Sequence, residues 1–160
     1  MTVMSRKAAS SAARAAPAIV ARHAELQQVL DEWASVLAAE AAGSGQVRPA
    51  RNLLCAFLAD EVLPHARAEE RTLYPARKRD PRTGLPVQAL VSEHRALASR
   101  AERMATQTEP VAASAAAEAI SALFASHAAK ENDLLLPALE RSGADLAALL
   151  AREGHLAGSR

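Results

Sequence analysis

The sequence predicts an all-α protein, and three observations carry that prediction. Half of its residues are apolar, yet only Trp33, Phe57, Tyr74 and Phe124 are aromatic. Alanine, leucine, arginine and glutamate are abundant and favour helix, whereas the β-branched and aromatic residues that favour strands are scarce. Proline recurs where helices would begin, at Pro17, Pro49, Pro86 and Pro110, because its missing N–H is harmless in a first helical turn. The loops between these starts are short, so successive helices should return antiparallel, as an up-down-up-down four-helix bundle with a short C-terminal helix.

The elements follow in order. Residues 1–14 contain basic but no acidic side chains, which faintly resembles an organellar transit peptide. Arginine and alanine are common throughout the chain, however, so the expectation is a disordered leader. The bundle should occupy residues 15–141. Its first helix runs from about Pro17 to Ala42 and stops at Gly43-Ser44-Gly45. The second runs from about Pro49 to Lys78, before Asp80-Pro81 and Gly84. The third covers about Pro86 to Gln107, and the fourth about Pro110 to Arg141, ending at Ser142-Gly143. Residues 142–160 form a short helix, about Ala144 to Arg152, and a tail. Pro64, Pro75 and Pro137 fall inside or at the end of helical pattern, where proline removes a hydrogen bond and bends the helix. A bend at Pro64 could aim His65 inward.

Size and charge narrow the function classes. A chain of 160 residues is one domain with room for a real core. Its 19 basic and 18 acidic residues are interspersed, giving a net charge of +1 with no basic stripe, so nucleic acid is not an implied partner. No run reaches the roughly 18–20 apolar residues of a membrane span, so no membrane is implied. A single cysteine, Cys55, excludes an internal disulfide and a Cys-based metal cluster. Its neighbours Leu53, Leu54, Ala56 and Phe57 predict a buried, unreactive thiol, and this composition fits a cytoplasmic protein. The alanine-rich surface leaves monomer and homodimer both open.

The chemistry lies in the histidines. Five occur, and four fall one per predicted helix: His23, His65, His94 and His127. Two of these carry a glutamate four residues later, Glu69 and Glu131, one helical turn away on the same face. Each histidine lies on the apolar stripe of its helix. His23 is flanked by Ile19, Val20, Leu26 and Leu30; His65 by Leu58, Val62 and Leu73. His94 is flanked by Val87, Leu90, Val91 and Leu97; His127 by Ile120, Leu123, Phe124, Leu134 and Leu135. Unpartnered, two buried carboxylates would cost several kcal/mol each or take up protons. A dinuclear metal site resolves all six residues at once, with carboxylates bridging and two histidines on each ion. Imidazole and carboxylate together suit iron, manganese or zinc. The spacing His65-x₃-Glu69-x₃-Leu73-x-Pro75 repeats as His127-x₃-Glu131-x₃-Leu135-x-Pro137, as a pseudo-symmetric centre requires.

The order His, His-x-x-x-Glu, His, His-x-x-x-Glu, with Glu69-Glu70-Arg-Thr-Leu-Tyr-Pro and Glu131-Asn-Asp-Leu-Leu-Leu-Pro, resembles the hemerythrin-like (HHE cation-binding) family over about Pro17 to Arg141. The resemblance implies two iron ions in a non-haem, Fe–O–Fe type centre, with manganese or zinc as alternatives. It implies that Glu69 and Glu131 bridge, that His23 and His65 serve one iron, and that His94 and His127 serve the other. One departure matters. Oxygen-carrying members have a second histidine on the third helix, where this chain has Leu90 and Ala98, and an aspartate in the last motif, where it has Glu131. Fewer histidines leave coordination positions open and argue against reversible oxygen carriage. The expected function is therefore binding of, or response to, O2, peroxide or NO. Catalase-like peroxide disproportionation is the alternative, and enzyme status is left open.

Residues around the motif receive plainer readings. Glu70 points about 100° away from Glu69 and should be solvated or brace a ligand rather than bind metal. Glu61 could accept from His65 or form a surface ion pair. Trp33 reads as core packing or a bundle-end plug, Tyr74 as a hydrogen-bonding residue near the site or, more simply, as packing, and His155 as a tail residue.

Overall fold

The computed structural model describes residues 2–75, 84–153 and 156, with side-chain environments from residue 14 onward. The described residues are mostly helical, with no strand among them. Helices α1 (Thr2–Ala42), α2 (Arg48–Phe57) and α3 (Leu63–Arg71) are followed by α4 (Gly84–Thr106), α5 (Pro110–Lys130), α6 (Leu136–Arg141) and α7 (Leu146–Arg152). Single π-helical turns, Leu58–Val62 and Glu131–Leu135, join α2 to α3 and α5 to α6.

The first helix corrects an expectation. It begins at Thr2 rather than Pro17, so the segment read as a disordered leader continues the helix. That segment contains neither Gly nor Pro and is rich in alanine, the best helix former. Pro17 is tolerated within the helix, where it removes one hydrogen bond. Ala15, Ala16 and Ile19 are buried in a cluster with Leu146 and Leu156, so packing against the C-terminal helix holds this end of α1.

Both π turns end two residues before a proline, Pro64 and Pro137. The Leu63 N–H bonds the Leu58 carbonyl, and the Leu136 N–H bonds the Glu131 carbonyl, each five residues back. The extra residue advances the buried stripe by one position. Leu135, Leu136 and Leu139 are therefore buried while Leu134 is 61% exposed, correcting its assignment to the core. Val20 is likewise exposed; the inward stripe of α1 runs Ile19, His23, Leu26, Leu30.

The remaining ends follow local chemistry. Glu109 caps α5, accepting from the N–H groups of Val111 and Ala112 at 3.0 and 2.6 Å. Gly143, at φ 73°, closes α6: the Ala144 N–H reaches the Leu139 carbonyl and the Gly143 N–H the Glu140 carbonyl. Asp145 caps α7 through the Ala148 N–H. The second predicted helix stops early, at Arg71, in a turn over residues 72–75; its expected end at Lys78, and His155, lie outside the described residues.

The core lies between α1, α2, α4 and α5, where Leu26, Leu30, Leu54, Leu97, Met104, Ile120 and Phe124 cluster, with Trp33 packed against them as expected. Cys55 is only half-buried, which corrects the expectation of a fully buried thiol. The segment Pro110–Arg141 meets the length and apolar composition of a membrane span, which the sequence reading did not anticipate. Its alanines account for that, and its inward face packs against α1 and α4.

Candidate metal centre

The six predicted residues converge. His23 comes from α1, His65 and Glu69 from α3, His94 from α4, His127 from α5, and Glu131 from the π turn that follows it. None is more than 5% exposed. All four imidazoles present Nε2 to the two carboxylates. Glu69 Oε1 lies 3.1 Å from His23 Nε2 and 2.9 Å from His65 Nε2. Glu69 Oε2 lies 3.3 Å from His94 Nε2 and 3.9 Å from His127 Nε2. The one carboxylate thus faces both histidine pairs. Glu131 Oε2 sits between them, 3.4 Å from His23 Nε2 and 3.5 Å from His127 Nε2. Two groups have donor atoms close enough to share one cation each, His23–His65–Glu69 and Glu69–His94–His127.

The outer ring nitrogens explain why Nε2 faces inward. His23 Nδ1–H donates to Asn132 Oδ1 at 2.7 Å, His94 Nδ1–H to Glu70 Oε1 at 2.9 Å, and His127 Nδ1–H to Glu93 Oε2 at 3.0 Å. A hydrogen held on Nδ1 leaves a lone pair on Nε2, the form that binds a cation. Lys130 donates to the other oxygen of Glu93. Burial pushes the Glu93 carboxyl up, but hydrogen bonds from Lys130 and His127 hold it below the usual range. Glu70 thus braces a histidine, the second of its two expected roles. Glu61 does not serve His65 in this way; it pairs with Arg22 across the surface.

Tyr74 takes the first of its two expected roles, a hydrogen bond near the site, rather than packing alone. It is 2% exposed, and its hydroxyl donates to Glu131 Oε1 at 2.6 Å and lies 3.2 Å from His94 Nε2. An α-helix continued from Glu69 would carry position 74 about 140° around the axis, away from the site. Instead the turn after Arg71 folds back. The Glu69 carbonyl accepts from the N–H groups of Thr72, Leu73 and Tyr74, and the Tyr74 ring stacks on His94 with 15° between planes.

The charge state of the cluster is that of a site built for cations. Burial pushes the Glu69 carboxyl up, but the close imidazoles of His65, His127 and His23 hold it well below the usual carboxylate range. Burial and the neighbouring Glu69 charge push Glu131 up. Burial lowers the basicity of His127, but Glu131 and Glu69 overcome this and push its pKa up to about 10. Glu69 Oε2 and Glu131 Oε2, fully buried, still receive no hydrogen bond. Two buried carboxylate oxygens without donors, ringed by imidazole nitrogens, fit metal ions and fit no wholly apolar or hydrogen-bonded core.

An all-helical protein with a buried histidine–glutamate cluster belongs to the class of helical metal-binding proteins. The profile of the hemerythrin HHE cation binding domain matches residues 14–142, and the chain belongs to that family. Comparison with curated proteins and with solved structures gave no match.

Proposed function

We propose that this chain is a non-haem di-iron protein that binds or responds to O2, peroxide or NO. In this reading the helices form an up-down-up-down four-helix bundle around the centre. His23 and His65 serve one iron, His94 and His127 the other, and Glu69 and Glu131 bridge. The observation that carries it is Glu69, one oxygen of which faces His23 and His65 while the other faces His94 and His127. Bound iron would supply redox chemistry and positions for a small ligand. The chain's own part is to fix the imidazoles through Asn132, Glu70 and Glu93 and to keep the carboxylates from bulk water.

Ligand binding at open positions is supported by the third helix. Leu90, one turn before His94, is buried and apolar and offers no donor atom. The same vacancy supports the alternative, peroxide disproportionation.

The test is metal analysis after anaerobic purification with iron, followed by optical spectra on adding oxygen and then peroxide. Two irons per chain and ligand-dependent charge-transfer bands are expected; fewer than one metal per chain, with all six residues intact, would overturn the reading. Steady oxygen release from peroxide that vanishes in Glu69→Ala would favour the enzyme, and a stable adduct would favour binding.

A further inference from the structure

We propose that the two metal positions are unequal and fill in order: the first ion takes the position of His94 and His127, because Glu70 and Glu93 stand behind those rings, and the position of His23 and His65 fills second. This rests on the proposed dinuclear centre and deepens it, since the six converging residues by themselves give no reason for an order.

Those six residues are balanced. Glu69 turns one oxygen to each histidine pair, and each group able to share a cation consists of two imidazoles and Glu69. Glu131 Oε2 lies almost equally far from His23 and His127 Nε2, at 3.4 and 3.5 Å. The imbalance lies one bond further out, where the sequence repeat breaks. Glu70 follows Glu69 and accepts from the His94 Nδ1–H at 2.9 Å. Asn132 holds the corresponding place after Glu131 and accepts from the His23 Nδ1–H at 2.7 Å. Glu93 precedes His94 and accepts from the His127 Nδ1–H at 3.0 Å. Arg22 holds the corresponding place before His23, and a guanidinium has no lone pair to offer an imidazole. It pairs with Glu61 instead.

Charge then decides which position a cation prefers. Two carboxylates stand behind His94 and His127, whereas a neutral amide stands behind His23 and a cation occupies the place beside it. A carboxylate that accepts from Nδ1–H makes a charge-assisted bond and leaves Nε2 the more basic donor. An amide fixes the same tautomer and adds no charge. Lys130 bonds the other oxygen of Glu93 and offsets part of its charge, but leaves the bond to His127 in place.

Zinc is the probe, because it suits these donors and is diamagnetic. The full chain, its histidine rings labelled with nitrogen-15 and linked to the assigned backbone, is titrated with zinc at fixed pH and followed by NMR. At one equivalent the Nε2 signals of His94 and His127 should take up the shift of a zinc-bound nitrogen, and those of His23 and His65 only as the second equivalent is added. Glu70→Gln and Glu93→Gln keep an acceptor and remove only charge, so each should weaken the first calorimetric binding step roughly tenfold, with helical content unchanged. Asn132→Asp should tighten the second step and narrow the gap. If a variant fails to fold, the order of shifts in the original chain decides alone. Two ions per chain with all four rings responding together, or with His23 and His65 first, would overturn the inference and leave the dinuclear reading standing. Fewer than two ions per chain at saturation, with zinc and iron alike, would overturn both.

Discussion

At the scale of single residues, the centre depends on atoms that never face it. Asn132 Oδ1 accepts from His23 Nδ1 and so fixes which nitrogen points inward. Asn132→Ala should weaken metal binding roughly 10–100-fold, as removal of such a brace commonly does, with helical content unchanged. Competition with a chelator measures this, and an unchanged affinity would show that the bond orients nothing of consequence. Cys55 gives a second prediction. Burial pushes its thiol pKa up, only partly offset by Arg51 nearby. Because the thiolate is the nucleophile, Cys55 should react with a disulfide reagent more slowly than an exposed thiol at neutral pH, accelerating as the pH is raised through the alkaline range. The six converging histidines and glutamates were legible in the sequence, whereas of their braces only Glu70 was, as one of two readings, for one physical reason. His65–Glu69 and His127–Glu131 are partners within a helix, where periodicity speaks. Asn132, Glu70 and Glu93 act across helices, each from a position adjacent to a ligand that a helical wheel turns toward solvent.

Individual elements were readable wherever backbone chemistry sets them. Pro110 behind Glu109, and Gly143 after Arg141, mark helix ends that the structure reproduces. Tyr74 was legible only as one of two readings, because the periodicity around His65 ends at Arg71 and the turn beyond it reverses the direction a helix would have given. The π turns were hidden too. Pro64 and Pro137 announced bends, but a proline does not state that the slack will be taken up as one inserted residue, which kept Leu135 buried and exchanged Leu134 for Leu136. Gly143 offers a clean test of an element end. Its φ is 73° and a Cβ there would meet nothing within 4 Å, so Gly143→Ala incurs backbone strain without a clash. The expected cost is about 1–2 kcal/mol, read as a fall of a few degrees in Tm, with metal content unaffected. No change in Tm would mean that the α6–α7 turn relaxes freely.

For the whole molecule, the question is whether the buried cluster exists for the fold or for the metal. Polar groups in a core can stabilise a fold only when satisfied, and Glu131 is not. Its Oε2 receives no hydrogen bond, and burial beside Glu69 pushes its carboxyl up, so the ionised form is disfavoured in the metal-free chain. Glu131→Gln keeps an acceptor for the Tyr74 hydroxyl, removes the charge, and places an amide donor where the carboxylate had none. In the metal-free protein its Tm should therefore equal or exceed that of the original chain. Loading should reverse the order. A ligand that binds only the folded state stabilises it by about 2.7 kcal/mol at a free concentration 100 times its Kd, and Glu131→Gln, with one anionic bridge gone, should lose most of that gain. Calorimetric melts of both proteins, with and without iron, should therefore cross. A metal-free Glu131→Gln that melts far below the original chain, by the roughly 2–5 kcal/mol of a lost core side chain, would instead make the cluster a structural feature. The predicted crossing is the thermodynamic mark of a site whose residues are a burden to the empty fold and become an asset when metal is bound.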